Sequence, residues 1–124
     1  MLVPMGTTVL IVDDNAGYVA AATALLEGEG LEVVGTASTT AQALERAVQL
    51  RPDIVLLDLG LGAESGIDAA RQLARSDGAD GWTVILISTR DYSEVADLVA
   101  DSPVAGFIAK YDLSADAIQR LDPI

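Results

Sequence analysis

The chain has 124 residues, the size of one domain, and its 51% apolar and 21% charged residues are the balance of a protein that buries a core. Seven Lys and Arg against nineteen Asp and Glu leave a formal charge of −12, which argues against a nucleic-acid surface and against an anionic membrane face. Cys and His are both absent, so disulfides, thiolate chemistry, imidazole metal ligation, a Ser-His-Asp triad and phosphohistidine on this chain are excluded.

The first eight residues carry no basic region and no small-residue cleavage site, so no signal peptide is expected. The least polar long stretch, residues 16–26, is too short to span a bilayer. Elimination predicts a cytoplasmic protein forming one domain over residues 1–124, with its core at about 8–121. No output domain is expected after the last helix. The chain is then either a single-domain protein or a piece of a longer one.

In chain order, Val9-Leu10-Ile11-Val12 reads as a strand buried on both faces. A helix follows with Tyr18, Ala22, Leu25 and Leu26 on one face, stopped by Gly28 and Gly30. Leu31-Glu32-Val33-Val34-Gly35 is more polar, as an edge strand would be. The second helix places Leu44, Ala47 and Val48 together, opens on a Thr39–Gln42 capping box and precedes Pro52. Ile54-Val55-Leu56-Leu57 is the third strand, and Ile67, Ala70 and Ala74 mark the third helix. Trp82 begins a fourth strand through Val84-Ile85-Leu86-Ile87. Val95, Leu98 and Val99 mark a fourth helix, with Asp91 and Glu94 as a looser box. A fifth strand at residues 104–108 and a helix carrying Ile118 and Leu121 close the pattern. Five alternating β-α units predict an α/β, flavodoxin-like doubly wound parallel sheet in three layers, with strand order 2-1-3-4-5.

In that order the first and third strands are neighbours, and ligands bind outside the carboxyl ends of the strands at the reversal point. The first strand ends in Asp13-Asp14-Asn15, the third in Asp58, the fourth in Ser88-Thr89 and the fifth in Lys110, the sole Lys of the chain. Capping accounts for one of the first three residues, not for two adjacent acids. Asp13, Asp14 and Asp58 must converge, and carboxylates so crowded raise one another's pKa. A hard divalent cation such as Mg²⁺ removes the conflict, holding carboxylates, waters and a phosphate oxygen. Lys110 adds a second positive charge and Ser88 a hydroxyl. Such a set suits uptake of a phosphoryl group by an attacking carboxylate.

These segments, with Gly66 eight residues after Asp58 and Gly106-Phe107-Ile108-Ala109-Lys110, resemble the receiver domain of bacterial two-component response regulators, a family of chemotaxis-regulator-like modules, over residues 8–121. The resemblance implies that Asp58 accepts phosphate from a sensor histidine kinase or histidine phosphotransfer protein. It implies Mg²⁺, with Mn²⁺ as a substitute, held by Asp14, Asp58 and the Gly60 backbone carbonyl, and by Asp13 through water. Ser88 and Lys110 would each meet a phosphoryl oxygen, and Phe107 would be the aromatic switch residue. The module itself would be regulatory rather than an enzyme, assisting only its own phosphorylation and dephosphorylation. The signal would leave through the face of the fourth helix, fifth strand and fifth helix, to an output partner the sequence does not name or to a second copy in a homodimer. Direct nucleic-acid and membrane binding are not expected.

The chain departs from that pattern at Gly62 and Tyr111, where Pro is usual, at Thr89, where a smaller residue is common, and in the missing hydroxyl of Phe107. A flavodoxin-like cofactor binder would need a Ser/Thr/Gly-rich loop where this chain has acids. A haloacid-dehalogenase-like phosphatase would need an Asp where Asn15 stands. The remaining alternative is a receiver-like interaction module that is not phosphorylated.

Overall fold

A computed structural model gives the structure of the protein, describing residues 7–61, 64–76 and 82–121. Gly62 and residues 1–6 lie outside the described residues. The apolar runs become five strands: β1 (Thr8–Val12), β2 (Glu32–Ala37), β3 (Ile54–Asp58), β4 (Thr83–Ser88) and β5 (Gly106–Ala109). They form one parallel sheet in the order β2-β1-β3-β4-β5, as the alternation of elements predicts. The connecting helices are α1 (Ala16–Gly28), α2 (Thr40–Leu50), α3 (Gly66–Ser76), α4 (Tyr92–Ala100) and α5 (Ala115–Leu121). A 3₁₀ turn, Lys110–Asp112, leads out of β5. One small element was not expected: Gly60–Leu61 pairs antiparallel with Glu64–Ser65. Among the described residues no helix is long and apolar enough to cross a membrane.

Strand side chains alternate between two cores, which is why the central strands need apolar residues throughout. Leu10, Val12, Val55, Leu57, Val84 and Leu86 face Ala43 and Ala47 of α2 and Ala69, Ala70 and Leu73 of α3. Val9, Ile11, Ile54, Leu56, Ile85 and Ile87 face Ala22 and Leu26 of α1 and Ala115 and Ile118 of α5. Edge strand β2 is the least regular, slipping register against β1 between Val9 and Leu10. Trp82 precedes β4 rather than starting it, and lies buried with its indole N–H unpartnered among the described residues.

The helix faces are narrower than their apolar periodicity predicts. Leu25 (41% exposed), Val48 (53%) and Leu98 (46%) point to solvent, beside Leu26 and Ala47, which are buried, and Val99, which packs on the core. A helix on a flat sheet buries a stripe, and a residue one position along is turned about 100° away from it. The caps hold with one shift. Thr39 accepts from the Gln42 amide, while the Gln42 side chain accepts from the Ser38 amide rather than from Thr39. At α4, the Asp91 amide donates to Glu94. Helix α1 stops as predicted, with Gly30 at a φ of 97°.

Gly66 shows why β3 delivers Asp58 where it does. A Cβ there would stand 2.5 Å from the Asp58 carbonyl oxygen and from Leu59 Cα. The first residue of α3 thus passes against the backbone of the acidic strand end, and its amide donates to the Leu59 carbonyl at 2.9 Å. Only a residue without a side chain permits that approach.

Candidate functional site

The strand order sets β1 between β2 and β3, so the acids that end β1 and β3 meet. One carboxylate oxygen from each of Asp13, Asp14 and Asp58 falls within 4.8 Å of the others, with Asp13 and Asp58 buried and Asp14 exposed. The turn into α1 fixes the pair: Asp13 accepts from the Asn15 amide at 2.9 Å, and Asn15, as N-cap, accepts from the Tyr18 amide at 3.0 Å. Asn15 is therefore the cap, Asp13 holds the turn with one oxygen and keeps Oδ2 for other work, and Asp14 takes no part in the capping bonds.

Lys110 arrives from the end of β5. Its Nζ lies 2.6 Å from Asp13 Oδ2 and 3.5 Å from Asp58 Oδ2. The Asp13 oxygen is buried and receives no well-angled hydrogen bond among the described residues, so the ammonium answers its charge electrostatically. Asp58 is crowded in the way the sequence predicts. Burial, and then the neighbouring Asp13 charge, push its carboxyl up from the usual value of 3.8, against the opposing pull of the Gly60 amide and Lys110. The Gly60 amide donates to Asp58 Oδ1 at 3.3 Å. Buried Ser88 accepts from the Arg90 amide at 3.1 Å, which leaves its hydroxyl proton available. A cavity of about 530 Å³ opens over Asp58, Ser88 and Lys110, with Arg71 and Arg90 also in its lining.

The structure therefore brings together Asp13, Asp14, Asp58, Gly60, Ser88 and Lys110. It does not bring Phe107 to them. That ring is half-buried, pairs in register with Leu86, packs on the α2–α3 side of the sheet and faces Tyr92 at 6.0 Å between centroids. It lines a separate groove of about 440 Å³ with Tyr92, Tyr111 and Leu121. Thr89 is exposed at the edge of the acid cavity. The Lys110–Tyr111 peptide is trans. The Tyr111 hydroxyl donates to Asp91, tying the turn after Lys110 to the start of α4.

Tyr18 is the residue that periodicity alone treated as core. Its ring lies 4.7 Å from Lys110 Nζ and its hydroxyl donates to the Lys110 carbonyl at 3.3 Å. Burial, then Asp13 and Asp58, raise the hydroxyl pKa to about 12, so it remains a neutral donor. The signal in the sequence was its place in the first turn of the helix that follows the acid pair.

Residues 9–121 match the sequence profile of the response regulator receiver domain. The protein-glutamate methylesterase/protein-glutamine glutaminase of Alkalilimnicola ehrlichii is 32% identical over 120 residues, spanning 93% of this chain and 30% of that protein. Response regulator GacA of Pseudomonas viridiflava is 29% identical over 114 residues, spanning 91% of this chain and 52% of that one. The chain thus spans about a third to a half of the length of these curated relatives. The signal receiver domain of a modulated diguanylate cyclase from Desulfovibrio desulfuricans superposes with a TM-score of 0.74 at 31% identity, over 92% of this chain and 88% of that one. A LuxR-family two-component response regulator from Aurantimonas sp. gives 0.78 at 26% identity, over 90% and 79%.

Proposed function

The chain belongs to the response regulator receiver domain family, and from that premise we propose that it is a phospho-acceptor whose acceptor is Asp58. The observation that carries the reading is the convergence of three carboxylates within 4.8 Å beside a lone Lys, with Asp58 and Lys110 open to a cavity. Two of the three acids are buried, where each penalises the ionisation of the next.

The donor set fits Mg²⁺: the carboxylates of Asp13, Asp14 and Asp58, gathered within 4.8 Å, and the Gly60 carbonyl are hard oxygen ligands. Mn²⁺ suits the same oxygens. When bound, the ion supplies charge neutralisation for the crowded acids and for the incoming phosphate. The residues do the rest. An Asp58 carboxylate oxygen attacks phosphorus, a P–O bond forms, and the P–N bond to the donor's phosphohistidine breaks, with the electron pair leaving on the imidazole nitrogen. Lys110 pairs with one phosphoryl oxygen and Ser88 donates its hydroxyl to another. Arg90 adds positive charge to the cavity lining, while Arg71 there is paired with Asp68 at 3.5 Å. The donor is a cytoplasmic sensor histidine kinase or histidine phosphotransfer protein.

The output is carried by the α4–β5–α5 face, where Tyr92, Phe107 and Leu121 line an apolar groove. Movement of Ser88 toward the phosphoryl group shifts the β4–α4 connection, which leads into Tyr92, the ring that Phe107 faces. Full burial of an exposed Phe ring is worth about 1.5–3 kcal/mol, so completing the burial of this half-buried one gains about 1 kcal/mol, enough to bias a two-state balance. An output partner, or a second copy in a homodimer, then meets this face.

Acetyl phosphate with Mg²⁺ is expected to add one phosphate, read by intact mass, and Asp58→Asn to abolish it. In the same preparation Phe107→Ala keeps the phosphate but loses the change in self-association seen by sedimentation. Equal labelling of Asp58→Asn, or labelling indifferent to chelation, overturns the acceptor assignment. Failure of the parent protein to take up phosphate favours the interaction module that is not phosphorylated.

A further inference from the structure

Tyr18 is bound to Lys110 at two points. The ring lies 4.7 Å from the ammonium nitrogen and the hydroxyl donates to the Lys110 main-chain carbonyl at 3.3 Å. The two residues come from opposite ends of the chain, one in the first turn of α1 and the other at the exit of β5. The first turn is itself held, since Asn15 caps it and Asp13 accepts from the Asn15 amide. The segment carrying the acids and the segment carrying the cation are thereby joined through one aromatic side chain.

We infer that Tyr18 is a positioning residue for phosphoryl transfer, seating the Lys110 ammonium between Asp13 and Asp58 before the phosphoryl group arrives. A lysine ammonium is a point charge on a flexible four-carbon stem, and it acts in a reaction only where that stem is ordered. Asp13 at 2.6 Å draws the charge inward and the ring face attracts it electrostatically. The hydroxyl fixes the main chain from which the stem springs. The ordering is completed during folding rather than at the transition state, which is how a group remote from phosphorus affects a rate. This rests on the reading of Lys110 as the cation that meets a phosphoryl oxygen.

The test compares phosphorylation by acetyl phosphate in Mg²⁺ for the parent chain, Lys110→Ala, Tyr18→Phe, Tyr18→Leu and Tyr18→Met, the last filling the volume without a ring. Mg²⁺ affinity is measured in each from the rise in Tm. Because Lys110 is the only Lys, selective ¹³C-lysine labelling gives one ε-methylene NMR signal that reports its contact with the ring. Loss of the ring in Tyr18→Leu or Tyr18→Met is expected to slow phosphorylation about three- to thirtyfold, the worth of a cation–π contact. Mg²⁺ affinity stays unchanged and the ε-methylene signal loses its ring-current shift. Tyr18→Phe keeps that shift and stays within about threefold of the parent. The inference falls if the ringless variants phosphorylate at the parent rate while Lys110→Ala is slow, or if their Mg²⁺ affinity drops in step with their rate. Should Lys110→Ala phosphorylate as fast as the parent, the reading of Lys110 fails, and Tyr18 has nothing to position.

Discussion

Strand β3 is flanked by two aspartates in opposite circumstances. Asp53, at its amino end, is exposed and tied to β1: its carboxylate Oδ2 accepts from the Thr8 amide at 2.9 Å and from the Thr8 hydroxyl, and its own amide donates to Thr8 Oγ1 at 2.9 Å. Asp58, at the carboxyl end, is buried against Asp13 and is offered one amide and a shared Lys. The same residue type thus fastens β3 to β1 at one end of the sheet and stores electrostatic conflict at the other. Stability is gathered where dipoles answer the charge, and the end where they do not is the one proposed for chemistry.

The sharpest way to break this contrast is to remove Lys110. Lys110→Ala leaves buried Asp13 and its neighbour Asp58 without their cation. Removing one partner of a buried pair costs about 3–5 kcal/mol, and a urea titration of the chelated protein is expected to register that loss. Mg²⁺ should return much of it, since a divalent ion answers the same carboxylates and binds only the folded state. A loss below about 1 kcal/mol, the range of exposed pairs, would mean that water already screens the acids and that the two ends of β3 do not differ as described.

A smaller effect separates the two ends by pH. The Asp58 carboxyl is raised above 3.8, first by burial and then by Asp13. Between 3.8 and its raised value the native protein holds a proton that the unfolded chain has released. Stability contributed by this group is therefore greatest at low pH, falls as pH rises through that window, and is level above it. Asp58→Asn has no such proton, so the metal-free variant should lack this fall, and it should melt higher than the parent at neutral pH. Melting curves in chelator across that window check the sign. A variant that melts lower at neutral pH would show Asp58 to be a stabilising ion-pair partner of Lys110 and not a crowded acid.

Legibility in the sequence followed the same division. Continuous β-branched runs at 9–12, 54–57 and 84–87 dictate buried parallel strands, and the order of elements leaves few topologies, so the sheet and the meeting of Asp13, Asp14, Asp58, Ser88 and Lys110 were readable. Helix faces were less so. Apolar periodicity does not distinguish Leu26, which meets the sheet, from Leu25 beside it. Phe107 was read as a switch residue on the face of α4, β5 and α5; its place on β5 sets it against Tyr92 of α4, and the strand pattern alone does not say which ring it meets. Tyr18 was read as packing, because contact between a first-turn ring and a side chain 92 residues away depends on rotamers that periodicity does not encode. The Gln42 side chain passed over Thr39 to the Ser38 amide for the same reason.

The smallest prediction concerns the quiet end of β3. Asp53→Ala removes the acceptor for the Thr8 amide while leaving the main-chain bonds from Asp53 to the Thr8 carbonyl and from Thr83 to the Asp53 carbonyl in place. The two lost hydrogen bonds, from the Thr8 amide and hydroxyl, lie in exposed surroundings, where water replaces the acceptor, so the cost is about 1 kcal/mol. Because this end lies a strand length from the acids, the response of Tm to Mg²⁺ should be that of the parent. Distant sites with no shared partner add independently, so Asp53→Ala combined with Lys110→Ala should cost the sum of the two single losses in urea. A double variant that departs from that sum by more than about 0.5 kcal/mol would show that strain at the carboxyl end is carried along β3 to its other end, and the separation of fastening from chemistry would fail.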